Sequence, residues 1–195
     1  MEGGALVLDG KSGFVLTAPL VKAIKARTLE AWVKLDNLVQ RGGGVIGIQG
    51  TAGEPFDAIV FGEREPGRWM SGSSGYRRTS SFGGEEEKEA QSQFVHMAIV
   101  YQEDGTITGY RNGRPYGKSY KTGVITYGAG NHQVILGMRH GSSADGRRML
   151  AGRIDRAQLY DRALTAEQIA LSADVRIVTE AELVAALTAG QKAKI

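Results

Sequence analysis

The sequence predicts an all-β protein in which two antiparallel sheets pack face to face, and three observations lead there. Short runs of β-branched and aromatic residues recur along the 195-residue chain, separated by clusters of Gly, Asn, Asp and Ser, and glycine alone fills 28 positions. Within Thr28–Leu35, the residues Leu29, Ala31, Val33 and Leu35 alternate with Thr28, Glu30, Trp32 and Lys34, the period of two that turns one strand face into a core. Two tight-turn signals, Gln102-Glu-Asp-Gly105 and Asn112-Gly113, lie between apolar runs, and the second supplies the positive φ angles of a type I′ turn.

Further strands are predicted at Val45–Ile48, Phe56–Phe61, Phe94–Tyr101, Thr106–Arg111, Val134–Met138 and Gly152–Leu159. Both faces of Phe94–Tyr101 are largely apolar, which suits a central strand, and Phe94–Tyr120 reads as a three-stranded meander. Two helical pieces follow. Thr165 reads as the N-cap of a short helix through Leu171, with Glu167 and Gln168 in its first turn. In Thr179–Thr188, Thr179 and Glu182 fit a capping box, and Leu183, Val184 and Leu187 form an apolar stripe that needs a partner. The predicted organisation is one sandwich domain over residues 1–173 and a C-terminal helical linker over 174–195 leading to another domain.

The formal charge is +3, but the 24 Lys and Arg are dispersed and interrupted by acids such as Glu85-Glu-Glu87, so nucleic acid is not the expected partner. With no cysteine there is no disulfide framework, thiolate metal site or Cys nucleophile. No apolar run reaches the roughly 18 residues of a membrane span, so no membrane insertion is expected. Met1-Glu-Gly-Gly-Ala5 lacks the basic and apolar regions of a signal peptide. The expectation is a piece of a longer exported chain, extracellular or periplasmic, rather than a cytoplasmic protein.

Leu6-Val-Leu-Asp-Gly10, Thr28-Leu-Glu-Ala-Trp-Val33, Val95-His-Met-Ala-Ile-Val-Tyr101, Tyr110-Arg-Asn-Gly113 and Ile154–Gln168 follow one another in the order and spacing of a known family. They resemble the laminin-G-like, pentraxin-like jelly-roll modules of the concanavalin A-like lectin/glucanase superfamily, across roughly residues 5 to 171. The resemblance implies that the first and last strands pair and close a two-sheet sandwich. Phe56–Glu63, Pro66-Gly-Arg-Trp-Met70 and Tyr110–Gly117 further resemble modules within large bacterial multidomain proteins that carry cytochrome-c-like domains, which implies export and flanking domains.

The same resemblance implies calcium, and the matching positions are Asp9, in an Asp-Gly turn, and Asp155. Hard cations need several oxygens at about 2.3 to 2.6 Å. The alternative is that Asp9 forms a turn and Asp155 pairs with an arginine. Related glucanases carry carboxylates as Glu-x-Asp-x-Glu on one strand face, and no such string is present. Retaining glycosidases need two carboxylates about 5 to 5.5 Å apart. Asp57 and Glu63 are about 20 Å apart in an extended strand, and Glu63 and Glu65, at about 7 Å, sit in turn composition. Glu85, Glu86, Glu87 and Glu89 read as a polar, mobile loop.

A serine triad lacks its Gly-x-Ser-x-Gly elbow, and Gly72-Ser-Ser-Gly75 reads as a flexible loop. His96 reads as a hydrogen-bonded structural residue, while His132 and His140 border turns at no ligand spacing. Arg41-Gly-Gly-Gly44 lacks the Lys-Ser/Thr ending of a phosphate loop. A binding surface remains. Asp57, Glu63, Arg64, Trp69, Tyr76, Arg77 and Arg78 supply flat aromatics and planar polar groups suited to sugars, and Arg111, Asn112 and Arg139 add contacts if the meander is adjacent. The competing expectation is that Trp69 plugs the sandwich and the arginines answer the acidic loop. The expected function is a non-catalytic carbohydrate-binding or adhesion module for a glycan or polysaccharide; the alternative is an insert that packs on neighbouring domains and takes no small ligand, and a glycoside hydrolase is the remoter alternative.

Overall fold

The computed structural model describes residues 4–174. In chain order the strands are β1 (Leu6–Asp9), β2 (Val15–Leu16), β3 (Arg27–Leu35), β4 (Gly43–Gly50), β5 (Phe56–Phe61), β6 (Trp69–Ser73), β7 (Val95–Tyr101), β8 (Thr106–Arg111), β9 (Arg114–Pro115), β10 (Tyr120–Lys121), β11 (His132–Leu136) and β12 (Ala151–Tyr160), followed by helix α1 (Ala166–Asp174). The linker helix expected over Thr179–Thr188 lies outside the described residues.

One sheet runs β1-β12-β3-β7-β8-β10, with β9 also paired to β8, and the other runs β2-β11-β4-β5-β6. The pairings are antiparallel, and the N- and C-terminal strands meet through Leu6 opposite Ile154 and Asp9 opposite Ala151. The fold is therefore the two-sheet antiparallel sandwich that the alternation in β3 predicts. Leu29, Ala31, Val33 and Leu35 point inward and are fully buried, meeting Val95, Met97 and Ile99 of β7 and, across the sandwich, Ile59, Phe61 and Trp69. Each large apolar side chain removed from water this way contributes about 1.5–3 kcal/mol.

The opposite face of β7 carries Ala98 and Val100, which pack with Tyr110 of β8, Leu164 just before α1 and Ile169 within it. Both faces of β7 are thus covered. At the start of α1, Thr165 Oγ1 accepts from the Gln168 backbone N–H at 3.2 Å, and Gln168 Oε1 accepts from the Thr165 N–H at 3.0 Å, a reciprocal capping box. Asn112, at φ 48°, and Gly113, at φ 75°, form the turn that brings Arg111 opposite Arg114.

Two features depart from the sequence reading. Gly72 and Ser73 belong to strand β6, where Ser73 Oγ pairs with Thr79 Oγ1 at 2.9 Å and accepts from the Arg78 N–H. The acidic segment is pinned rather than loose at Glu87. That carboxylate is buried and accepts from Trp69 Nε1 at 2.7 Å, from Arg111 Nε and Nη2 at 2.8 and 2.9 Å, and from the backbone N–H groups of Glu89 and Ala90. Burial alone would raise its pKa, but the bonds from Arg111 and Trp69 prevail and hold it down to about 2.

Candidate functional site

Two glycines open β4, and each carries no side chain where a neighbouring segment passes close to the backbone. A Cβ on Gly44 would lie 2.3 Å from Arg139 Cα, and one on Gly43 would lie 2.8 Å from Met149 O. The absence of side chains there lets the segment Met138–Leu150 rest directly on the backbone of β4. The segment folds back on itself, with Arg139 N–H donating to Arg148 O at 2.8 Å and Leu150 N–H to Gly137 O at 2.9 Å.

Beside this strap opens a groove of about 690 Å³, lined among others by Arg41, Glu63, Tyr76, Arg139, Arg147 and Met149. Glu63 is two residues past the end of β5; its Oε1 pairs with Arg139 Nη1, and Oε2 is buried on the sheet side, 3.4 Å from where a Cβ of Gly72 would be. Burial raises the Glu63 pKa, against the opposing pull of Arg139 and Arg64. Gln40 braces the rim, its amide donating to Asn37 O and Ala151 O and accepting from the Ala151 N–H.

Tyr76 forms one wall. It is 47 % exposed and its backbone sits in the left-handed region at φ 57°, directly after Gly75 at φ 56°. A non-glycine residue held there costs about 1–2 kcal/mol. The surrounding turn enforces it: Ser74 Oγ accepts from the Phe56 N–H at 2.8 Å, and the Thr79 N–H donates to Tyr76 O at 3.2 Å. The Arg64 guanidinium lies 5.1 Å from the ring centre, within cation–π range.

Of the residues singled out from sequence, the structure brings together Glu63, Arg64, Tyr76 and Arg139, with Arg77 exposed beside Tyr76. Asp57, Trp69, Arg111 and Asn112 lie elsewhere. Asp57 is buried between Arg27 and Arg78, bonded to Arg78 Nε at 2.9 Å and to Arg27 Nη2. Trp69 is 1 % exposed, its ring 4.8 Å from that of Phe61, so it fills the core and offers no face to a sugar. Arg111 is held by Glu87 and Glu89, and Asn112 Oδ1 accepts from the His96 N–H at 2.9 Å. His96 Nε2 in turn pairs with buried Glu30 at 2.7 Å.

Gln40, Arg41 and Arg147 reach the groove without having been selected; Arg41 ahead of three glycines was the available sequence signal. A second cleft of about 450 Å³ runs past Glu85, Glu86, Arg111 and Tyr116. Its aromatic ring is buried, with the hydroxyl donating to Glu85 O at 2.6 Å, so it presents no free platform.

Asp9 and Asp155 do not form a joint cation site. Asp9 Oδ1 accepts from the N–H groups of Lys11, Ser12 and Gly13, and Oδ2 from Ser12 Oγ at 2.8 Å, which lowers its pKa well below the carboxylate range. Asp155 is exposed at the bulge between Ile154 and Arg156, four residues from the partner of Asp9 and so about 13 Å along the strand. Among the described residues no three His, Cys, Asp or Glu side chains gather as a metal requires.

A family model described as concanavalin A-like lectin/glucanases superfamily matches residues 8–170. The chain belongs to this superfamily. No curated protein matches it. Among solved structures, the superfamily sandwich is shared with domain 4 of AbnA, an extracellular GH43 arabinanase from Geobacillus stearothermophilus in complex with arabinotriose, at TM-score 0.65 and 22 % identity over 87 % of this chain and 76 % of that one. A SAP-like pentraxin from Limulus polyphemus follows at TM-score 0.60 and 17 % identity, over 86 % and 80 %. The CBM40 of Ruminococcus gnavus IT-sialidase, bound to α2,3-sialyllactose, aligns at TM-score 0.57 and 14 % identity, over 83 % and 97 %. At these identities the likeness is one of fold. Among the described residues no helix is long and apolar enough to cross a membrane.

Proposed function

We propose that this chain is a non-catalytic carbohydrate-binding module whose ligand lies in the groove beside Met138–Leu150. The observation that carries the reading is Tyr76: an exposed aromatic ring fixed at an unfavourable backbone angle on the wall of a concave polar groove. Backbone strain of this kind persists where the surrounding structure enforces it and concentrates at binding and active sites. A flat ring with polar groups around it is the vocabulary of sugar recognition, the ring covering the C–H face and the planar groups taking hydroxyl pairs.

The chemistry of the groove favours binding over cleavage. Glu63 is the one carboxylate among its described lining residues, and glycoside hydrolysis by the common routes requires a pair. Structures of similar fold that hold arabinotriose or sialyllactose support a glycan ligand by analogy. The module would act within a longer exported protein and direct attached domains to a polymer.

The test is calorimetric titration with a panel of neutral and acidic oligosaccharides. Wild type is expected to bind at least one, and Tyr76→Ala to lose about tenfold or more in affinity, the loss of roughly one aromatic contact. A folded Tyr76→Ala protein with wild-type affinity would remove this groove as the site.

A further inference from the structure

Resting on the glycan reading, we infer that the groove selects sugars bearing a carboxylate over neutral ones. The argument is the balance of donors and acceptors at its mouth. Arg41 and Arg147 line the groove, Arg64 lies over the Tyr76 ring at its wall and Arg77 follows Tyr76 in the chain; all four are exposed, and none enters an ion pair among the described residues. The two other arginines of this region are already matched, Arg139 to Glu63 and Arg148 to Asp145.

Side-chain acceptors are scarce by comparison. The Glu63 carboxylate has one oxygen on Arg139 and the other buried toward the sheet at Gly72. Gln40 Oε1 is taken by the Ala151 N–H. Arg41 is itself positioned, with Nε donating to Gly62 O and Nη2 to Glu63 O at 3.2 Å, and it has further N–H groups beyond these two bonds.

A neutral sugar presents hydroxyls that both donate and accept, and this mouth leaves most of their donors unanswered. A carboxylate only accepts, and it matches the forked donors of a guanidinium two at a time. Because the arginines sit at the mouth and not in the interior, they keep their hydration when empty, and the preference depends on ionic strength.

The discriminating experiment compares a short oligogalacturonate with the same chain fully methyl-esterified, alongside sialyllactose and a linear arabino-oligosaccharide, at low and high salt. The acid is expected to bind about fivefold or more tightly than its ester at low salt, the gap closing as salt rises. Arg147→Gln, at an exposed site where the fold does not depend on the charge, is expected to narrow that gap. Tighter binding of oligogalacturonate or of sialyllactose tells whether the carboxylate comes from a uronate or a sialate, and either supports the inference. Equal affinity for acid and ester overturns the charge preference and leaves the glycan reading standing, while a gap unchanged in Arg147→Gln overturns the assignment of that preference to this groove. Absence of binding to all four probes overturns both.

Discussion

Tyr76 carries two opposed contributions that a single substitution separates. Its ring walls the groove, while its backbone at φ 57° is a conformation that a β-carbon disfavours. Tyr76→Gly is therefore expected to raise stability by about 0.5–1 kcal/mol in urea titration while weakening glycan binding about tenfold or more, because glycine adopts this angle without steric cost. A variant that loses stability would mean that the ring's packing with Arg64 outweighs the strain. Composition made Tyr76, Glu63 and Arg139 visible as sugar-binding vocabulary. It could not separate them from Asp57 and Trp69, because an aspartate in an apolar strand and a tryptophan after a Gly-Arg turn look the same whether they face solvent or a buried partner. The partner decided both cases: Arg27 and Arg78 neutralise Asp57 in the interior, and Glu87 takes the indole N–H of Trp69. Arg27 and Glu87 are 30 and 18 residues away from the groups they satisfy, too far for a local pattern to report.

At the scale of elements, strands with a strong apolar period were legible to within a residue or two. β5 and β8 fall at Phe56–Phe61 and Thr106–Arg111 as the pattern predicts. β6, Trp69-Met-Ser-Gly-Ser73, was not, because Gly72 and Ser73 read as loop while in the fold Gly72 lies against Val60 and Ser73 Oγ bonds Thr79 and Arg78. The glycines of β4 show the same limit. They resemble loop punctuation, yet they form a buried strand whose missing side chains make room for the strap that bears Arg139. Gly44→Ala is accordingly expected to destabilise by about 3 kcal/mol, since the new Cβ would meet the Arg139 backbone, which cannot rotate away as a side chain would. Gly146→Ala, in the same strap but with nothing within reach of its Cβ, should stay within about 0.5 kcal/mol of wild type. If both variants melt alike, the strap does not rest on β4 as described.

Over the whole molecule the sandwich is tied by buried ion pairs as well as by its apolar core, and this gives its stability a defined dependence on acid. Arg27 of β3 meets Asp57 of β5 across the interior, and Arg111 of β8 meets Glu87 beneath Trp69 of β6, so each pair links one sheet to elements of the other. Glu87 has a folded pKa of about 2 against an ordinary 4.5, so the unfolded chain takes up its proton first as the pH falls. The contribution is fully present above about 4.5, declines through the interval below it, and is gone once the pH passes about 2, amounting to something on the order of 3 kcal/mol. Glu63 opposes this with the reverse sign: its raised pKa makes the folded protein the better proton acceptor there, so acidification favours the fold at that one site. The two are separable by substitution. Glu87→Gln is expected to be less stable than wild type at pH 7, since Arg111 loses its charged partner, and to show a shallower fall in urea midpoint between pH 4.5 and 2. An acid limb of unchanged slope in Glu87→Gln would place the acid sensitivity elsewhere, and would remove Glu87 as the titrating tie between Trp69 and Arg111.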